Sequence, residues 1–215
     1  MNASKFDIDK IDHRLSSLYS THLDKKAKYN QWADSYDSDL VNDLDYVAHL
    51  TSSKAFSAIV TDKKSRVLDV ACGTGLVGIE LQKLGYQHID GTDFSSEMIR
   101  VSRDKDVYGN LFQHDFTTPL NQPFQYDALI CVGLFAFSVP PITNMIYVIN
   151  AVKPGGICII TVNSAAWREL NLESAVNAQA QEHNFTIQSI TQADYIRGEG
   201  IDCRILVIRS DQQPE

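Results

Sequence analysis

A parallel α/β sheet packed between helices is the fold class this sequence predicts, and three features carry it. From residue 66 onward, short apolar runs alternate with helical segments, the rhythm of strand, helix and parallel strand. The first apolar run ends in a glycine-rich turn, Ala71-Cys72-Gly73-Thr74-Gly75, that opens directly into a helical pattern. The last two apolar runs lie too close together for a crossover helix, so they should pair as an antiparallel hairpin.

Taken in order, residues 1–23 are polar and weakly periodic, with a short helix expected around 11–18. From residue 24 to about 59 the pattern is helical. Tyr29, Trp32, Ala33 and Tyr36 fall at i, i+3, i+4 and i+7, one face of a helix. A second helical run passes through Leu40, Leu44, Val47 and Ala48, and a third ends near Val60. Strands are then predicted at 67–70, 88–92, 110–113, 127–132 and 156–162. Helices fall between them at 76–84, 95–105 and 142–152, with a proline-containing loop between 113 and 127. Right-handed crossovers bring every strand's carboxyl end to one edge of the sheet. Lys153-Pro154-Gly155-Gly156 reads as a tight turn that delivers the fifth strand. A helix over 167–182 precedes the hairpin runs at 185–190 and 203–208.

Composition narrows the function. The 215 residues suit one domain, and 44% hydrophobic with 21% charged residues is ordinary for a soluble globular chain. A net charge of −8 argues against nucleic acid as a partner, because neutralising phosphates needs a basic face. The four cysteines form no C-x-x-C pair and read as reduced core thiols of a cytoplasmic protein. The six histidines show no metal-ligand spacing, so no metal is expected. Residues 1–10 lack the apolar core of a signal peptide, and the apolar stretch 128–139 is too short for a bilayer, so no membrane role is expected.

The chemistry concentrates at 67–78, Val-Leu-Asp-Val-Ala-Cys-Gly-Thr-Gly-Leu-Val-Gly. Gly73, Gly75 and Gly78 satisfy the G-x-G-x-x-G spacing by which a backbone approaches a nucleoside cofactor. Asp69 would repel a pyrophosphate and suits a ligand carrying positive charge, although it could equally cap the following turn. Asp93, twenty residues after Gly73, stands where a carboxylate can accept from two ribose hydroxyls, or it could cap the helix that follows. Phe94 and Met98 can flank an adenine face, and His114-Asp115-Phe116 can meet its polar edge. On these residues alone, an NAD(P)-binding oxidoreductase and a non-catalytic cofactor-binding sensor or partner protein stay open beside a methyl-transfer enzyme.

The set 67–78, Gly91-Thr92-Asp93-Phe94-Ser95-Ser96-Glu97-Met98, His114-Asp115, 127–132 and 152–156 resembles the class I S-adenosyl-L-methionine-dependent methyltransferases. The run Tyr29-Asn30-Gln31-Trp32-Ala33-Asp34-Ser35-Tyr36-Asp37 and residues 69–77 are similar to the Williams–Beuren syndrome chromosome-region methyltransferase-like family. The resemblance implies a Rossmann-like, seven-stranded, mostly parallel sheet with an antiparallel C-terminal hairpin and N-terminal helices. It implies a helical lid or extension over 1–60 and a single compact cofactor-binding domain over 61–215. Asp69, Ala71, Gly73, Thr74 and Gly75 would then hold the methionyl end, Asp93 the ribose, and Phe94 and Met98 the adenine. His114, Asp115 and Phe116 would meet the adenine's edge. Cys131, Val132 and Gly133 would line the sulfonium and the substrate entrance. Tyr29, Trp32 and Tyr36 would act in the lid, or simply pack helix against sheet. Leu134, Phe135 and Phe137, with Val139, suggest an apolar pocket for a small-molecule acceptor. Strand four lacks the Asn/Asp-Pro-Pro-aromatic run of amino-methylating enzymes, and no general base is identifiable. The sequence names neither the acceptor nor an oligomeric state.

Overall fold

The computed structural model describes residues 15, 22–123, 125–137 and 140–211. The helix expected around 11–18 lies outside them apart from Leu15, as does Val139. The strands are β1 (Arg66–Val70), β2 (His88–Asp93), β3 (Leu111–Gln113), β4 (Tyr126–Phe135), β5 (Val152–Asn163), β6 (Phe185–Ile196) and β7 (Ile201–Ser210). The helices are α1 (His22–Trp32), α2 (Ala48–Ile59), α3 (Leu76–Lys83), α4 (Ser96–Arg103), α5 (Met145–Ile149), α6 (Ser164–Glu169) and α7 (Leu172–Glu182).

The seven strands form one sheet in the order β3-β2-β1-β4-β5-β7-β6. The first five are parallel, while β7 runs antiparallel against both β5 and β6. This is the predicted α/β architecture, and the alternation of side chains across each strand builds it. Leu68, Val70, Leu129 and Cys131 point into the core under α5, α6 and α7. Val67, Ala128, Ile130 and Val132 point the other way, into the core under α2 and α3. Central strands buried on both faces read as continuous apolar runs, which is why β1 and β4 were legible.

Four local departures from the predicted elements have identifiable causes. The helical face expected through Tyr36 is interrupted, because α1 ends at Trp32 and the chain turns before a π-helical segment at Ser38–Asp43. Asp39 draws the turn closed, its Oδ2 accepting from Trp32 Nε1 at 2.6 Å and from Ser35 Oγ at 3.0 Å. The helix expected over 142–152 is a 3-10 turn, Ile142–Asn144, followed by α5, and Val152 already belongs to β5. The helix expected over 167–182 is two helices, with Asn171 between them at φ 49°. Lys153–Gly156 is looped out within β5 rather than placed before it, since Tyr126 pairs with Val152 and Ala128 with Ile157. Gly156 permits this, because a Cβ there would come within 2.5 Å of the Asp127 carbonyl oxygen.

Among the described residues, no helix is long and apolar enough to cross a membrane.

Candidate functional site

The carboxyl ends of β1, β2 and β4 open onto a cavity of about 1040 Å³, the open solvent at its mouth included. The loop after β1 forms its floor. Ala71 and Gly73 there take left-handed backbone angles, at φ 56° and 54°. A Cβ at Gly73 would meet nothing within 4 Å, so the loop presents bare backbone to open space. Gly75, at φ 97°, begins α3.

Beneath this loop sits Tyr108, from the connection between α4 and β3. A Cβ at Gly78 would come within 2.5 Å of the Tyr108 hydroxyl, and one at Gly91 within 3.0 Å of its ring. Gly78, the third glycine of the spacing, is therefore occupied by protein packing. The same hydroxyl donates to Asp69 Oδ2 at 2.6 Å. Burial pushes the Asp69 carboxyl up to about 7, the Tyr108 bond pulls it back, and the charge of Asp93 adds to the rise. Asp69 Oδ1 is buried without a hydrogen-bond partner.

Asp93 ends β2 and lies on the cavity wall. Its Oδ2 accepts from the Gly73 amide at 2.9 Å and its Oδ1 from the Ser95 amide at 2.8 Å. A carboxylate offers about four lone-pair sites, so Asp93 keeps acceptor capacity for a ligand. Burial raises this carboxyl to about 6, against the pull of the Ser95, Gly73 and Phe94 amides. Ser95, not Asp93, caps α4, accepting from the Met98 amide at 3.1 Å.

The N-terminal segment is strapped across this edge by polar bonds. Asn30 Oδ1 accepts from Ser95 Oγ at 2.6 Å, and Asp34 pairs with Arg100. Asp37 accepts from the Thr74 hydroxyl through one oxygen and from Lys105 Nζ at 2.5 Å through the other. The strap holds an aromatic cluster over the cavity. Tyr29 packs edge-on against Phe94 at 5.8 Å, and Trp32 against Tyr36 at 4.7 Å. Burial, with Tyr29, Tyr195, Asp93 and Asp37 nearby, pushes the Tyr36 phenol well up, so it stays neutral.

Of the residues singled out from sequence, Tyr29, Trp32, Tyr36, Ala71, Gly73, Asp93, Phe94, Met98, His114, Asp115, Phe116, Val132, Gly133 and Leu134 line the cavity. Asp69, Thr74 and Gly75 lie behind its wall, Asp69 against Tyr108 and Thr74 against Asp37. Cys131 and Phe135 are fully buried in the opposite core, and Phe137 packs against that same core. β4 is irregular between Cys131 and Phe135, where its register with β5 shifts, and these three are not among the residues that line the cavity.

Sequence reasoning missed Tyr46 and Tyr195, Leu40 and Ile196, and Lys25 on α1, all on the cavity wall. Tyr195 and Ile196 sit on the edge strand β6, remote in sequence and without any local motif. Lys25 is buried, and that burial lowers its ammonium to about 8. Asp37 stands in the N-terminal run already quoted, but its partners Thr74 and Lys105 lie far along the chain, so no local signal marked it.

Comparison with known proteins bears on this geometry. Residues 67–156 match the family described as a methyltransferase domain. Methyltransferase-like protein 27 of Homo sapiens is 32% identical over 139 residues, 63% of this chain and 56% of that protein. A ubiquinone biosynthesis O-methyltransferase of Xanthomonas campestris pv. campestris is 30% identical over 159 residues, 68% of this chain and 62% of that protein. The chain thus spans about three fifths of the length of these relatives. The crystal structure of an S-adenosylmethionine-dependent methyltransferase from Mesorhizobium loti superposes with a TM-score of 0.59 at 14% identity, covering 77% of this chain and 99% of that one. With its 3-2-1-4-5-7-6 sheet, this chain has the Rossmann-like α/β fold of the class I methyltransferases, and its residues 67–156 are similar to the methyltransferase-domain family.

Proposed function

We propose that this chain is an S-adenosyl-L-methionine-dependent methyltransferase acting on a small organic acceptor. The observation that carries the reading is the pairing of Asp93 with the Gly73 amide across the cavity floor, beneath open space. The residues present suit the cofactor. A bare glycine backbone leaves room for the methionyl chain, and Asp93 keeps acceptor capacity for the ribose. Phe94, Met98 and Phe116 offer apolar faces to the adenine, with His114 and Asp115 at its edge. The buried, unpartnered Asp69 Oδ1 adds negative potential below a ligand that carries a sulfonium and an ammonium.

When bound, S-adenosylmethionine would supply an electrophilic methyl group to a lone pair of the acceptor, whose proton would be released to bulk solvent with the product. The chain's part is to hold the two reactants in line and to exclude water, which is a large share of such catalysis. Residues 1–60 act in this reading as a lid, with Tyr29, Trp32 and Tyr36 covering the cofactor, and 61–215 form the catalytic domain. The similarity to methyltransferase-like protein 27 supports the narrower Williams–Beuren-type affiliation.

The sheet weighs against the dinucleotide alternative. A dinucleotide-binding sheet runs 3-2-1-4-5-6, whereas here an antiparallel β7 lies between β5 and β6. Calorimetry with S-adenosylhomocysteine and with NADH tests the proposal. Binding of adenosylhomocysteine, abolished by Asp93→Ala, is expected. Tight NADH binding without adenosylhomocysteine binding would overturn it. A labelled-methyl screen across metabolites then separates an enzyme from a cofactor-binding sensor.

A further inference from the structure

Tyr195 and Tyr46 are large polar-tipped residues on the cavity wall that the cofactor reading does not use. Their position is fixed by backbone. The Tyr46 amide donates to the Leu40 carbonyl at 2.9 Å, the Val47 amide donates to the Tyr195 carbonyl at 3.0 Å, and Tyr46 bridges to Ile196. The two rings meet edge to face at 5.3 Å and their hydroxyls are hydrogen-bonded together. Tyr46 is also stacked on His49 at 5.3 Å, so the wall is rigid on its outer side.

The Tyr195 hydroxyl lies directly over Gly133. A Cβ at that glycine would stand 2.6 Å from Tyr195 Oη, and Gly133 already needs its φ of 87°. Gly133 follows the point where β4 leaves its pairing with β1, beside the cofactor loop. The hydroxyl is thus placed at the junction between the cofactor floor and the rest of the cavity.

Among the described lining residues, the side chains that can carry charge are Lys25, Asp93, His114 and Asp115, and the last three stand on the other side. Asp93 ends β2, while His114 and Asp115 follow β3. Lys25 lies one helical turn before Tyr29, which packs on Phe94. The wall made by β6 and by residues 40–46 presents Leu40, Tyr46, Tyr195 and Ile196 instead. A charged molecule there would lose its water with no opposite charge among these four residues to meet it. Flat rings, by contrast, gain from edge and face contacts with tyrosine.

Building on the methyltransferase reading, we propose that the acceptor is an uncharged, flat aromatic molecule seated against Tyr46 and Tyr195. Its reacting hydroxyl or amine is hydrogen-bonded to the Tyr195 hydroxyl above Gly133. Tyr195 is a positioning and specificity residue. Burial pushes its phenol well up, so it acts as a neutral hydrogen-bonding group and not as a base.

The test uses the full chain saturated with S-adenosylhomocysteine, titrated calorimetrically with resorcinol, 4-hydroxybenzoate and tyramine. These are one phenol ring in neutral, anionic and cationic form. Resorcinol is expected to bind at least about tenfold more tightly than either charged ring, the penalty for burying an unpaired charge. Tyr195→Phe should weaken resorcinol about fivefold to tenfold, the loss of one hydrogen bond, while adenosylhomocysteine affinity stays within about twofold. That second affinity also reports whether the variant is folded, and Tyr46→Phe provides an independent variant with the same expected pattern. Equal or tighter binding of a charged ring overturns the proposal. So does unchanged resorcinol affinity in both variants, or failure of all three rings on adenosylhomocysteine-loaded protein. Absence of adenosylhomocysteine binding to the unaltered chain instead overturns the methyltransferase reading, and this proposal with it.

Discussion

Replacing Tyr108 by Phe should destabilise the protein by an amount that grows with pH. The substitution removes one hydroxyl, whose partner is the buried Asp69 carboxylate at 2.6 Å, and leaves the ring in place under Gly78 and Gly91. Asp69 titrates at about 7 in the folded chain, well above the ordinary carboxyl value of 3.8. The folded state therefore holds its proton more tightly than the unfolded chain does. By linkage, Asp69 contributes stability that is fully present below pH 3.8 and is lost as pH rises through about 7. The Tyr108 bond limits that loss, because it favours the charged form.

At pH 5.5 the carboxyl is protonated, and the bond is worth about 0.5–1.5 kcal/mol, the value for neutral partners. At pH 8.5 the carboxylate is charged, and losing the bond costs about 1.5–3 kcal/mol and leaves Asp69 without its side-chain partner. For a chain of this size each kcal/mol moves Tm by about 2–4 °C. The variant should thus melt a few degrees low at pH 5.5 and by roughly twice that deficit at pH 8.5. Differential scanning fluorimetry of both proteins across this pH range measures the difference. A deficit that is constant, or that shrinks as pH rises, would refute the assignment of Tyr108 as the partner of an ionised Asp69.

Asp93 titrates at about 6 in the folded chain. A ribose diol donates to the ionised form, so adenosylhomocysteine affinity should fall up to about tenfold per pH unit below that value and level off above it; calorimetry at pH 5, 6, 7 and 8 checks this. Asp37→Ala removes the bonds to Thr74 and Lys105 together. It should speed proteolysis within residues 22–47 and weaken cofactor binding, while leaving cleavage elsewhere unchanged. Gly78→Ala sets a methyl group against Tyr108 and should cost about 1–3 kcal/mol of overpacking in chemical denaturation. Leu68→Ala, in the fully buried centre of β1, should cost about 2–5 kcal/mol by the same measurement.

The elements that were legible in sequence are those whose physics is local. β1 and β4 are buried on both faces, so they read as apolar runs, and the glycine loop between β1 and α3 needs backbone angles few other residues adopt. Asp93 was found because a fixed offset along one β-α-β unit fixes a place in space. What stayed hidden depends on contacts between distant parts of the chain. Phe135 and Phe137 share composition with an acceptor pocket, yet the irregular end of β4 and the turn after it pack them against the opposite core. Tyr108 carries no motif, and only the fold reveals that Gly75, Gly78 and Gly91 are all spent on making room for it. That packing changes the meaning of the glycine spacing. Gly73 alone faces the open cavity, while Gly78 serves the tyrosine that steadies Asp69 from behind. A G-x-G-x-x-G match reports both roles at once, so the spacing alone could not choose between a dinucleotide and a methyl donor. The choice rests on the acid beneath the loop and on the strand inserted antiparallel beside β5, two features that lie outside the spacing itself.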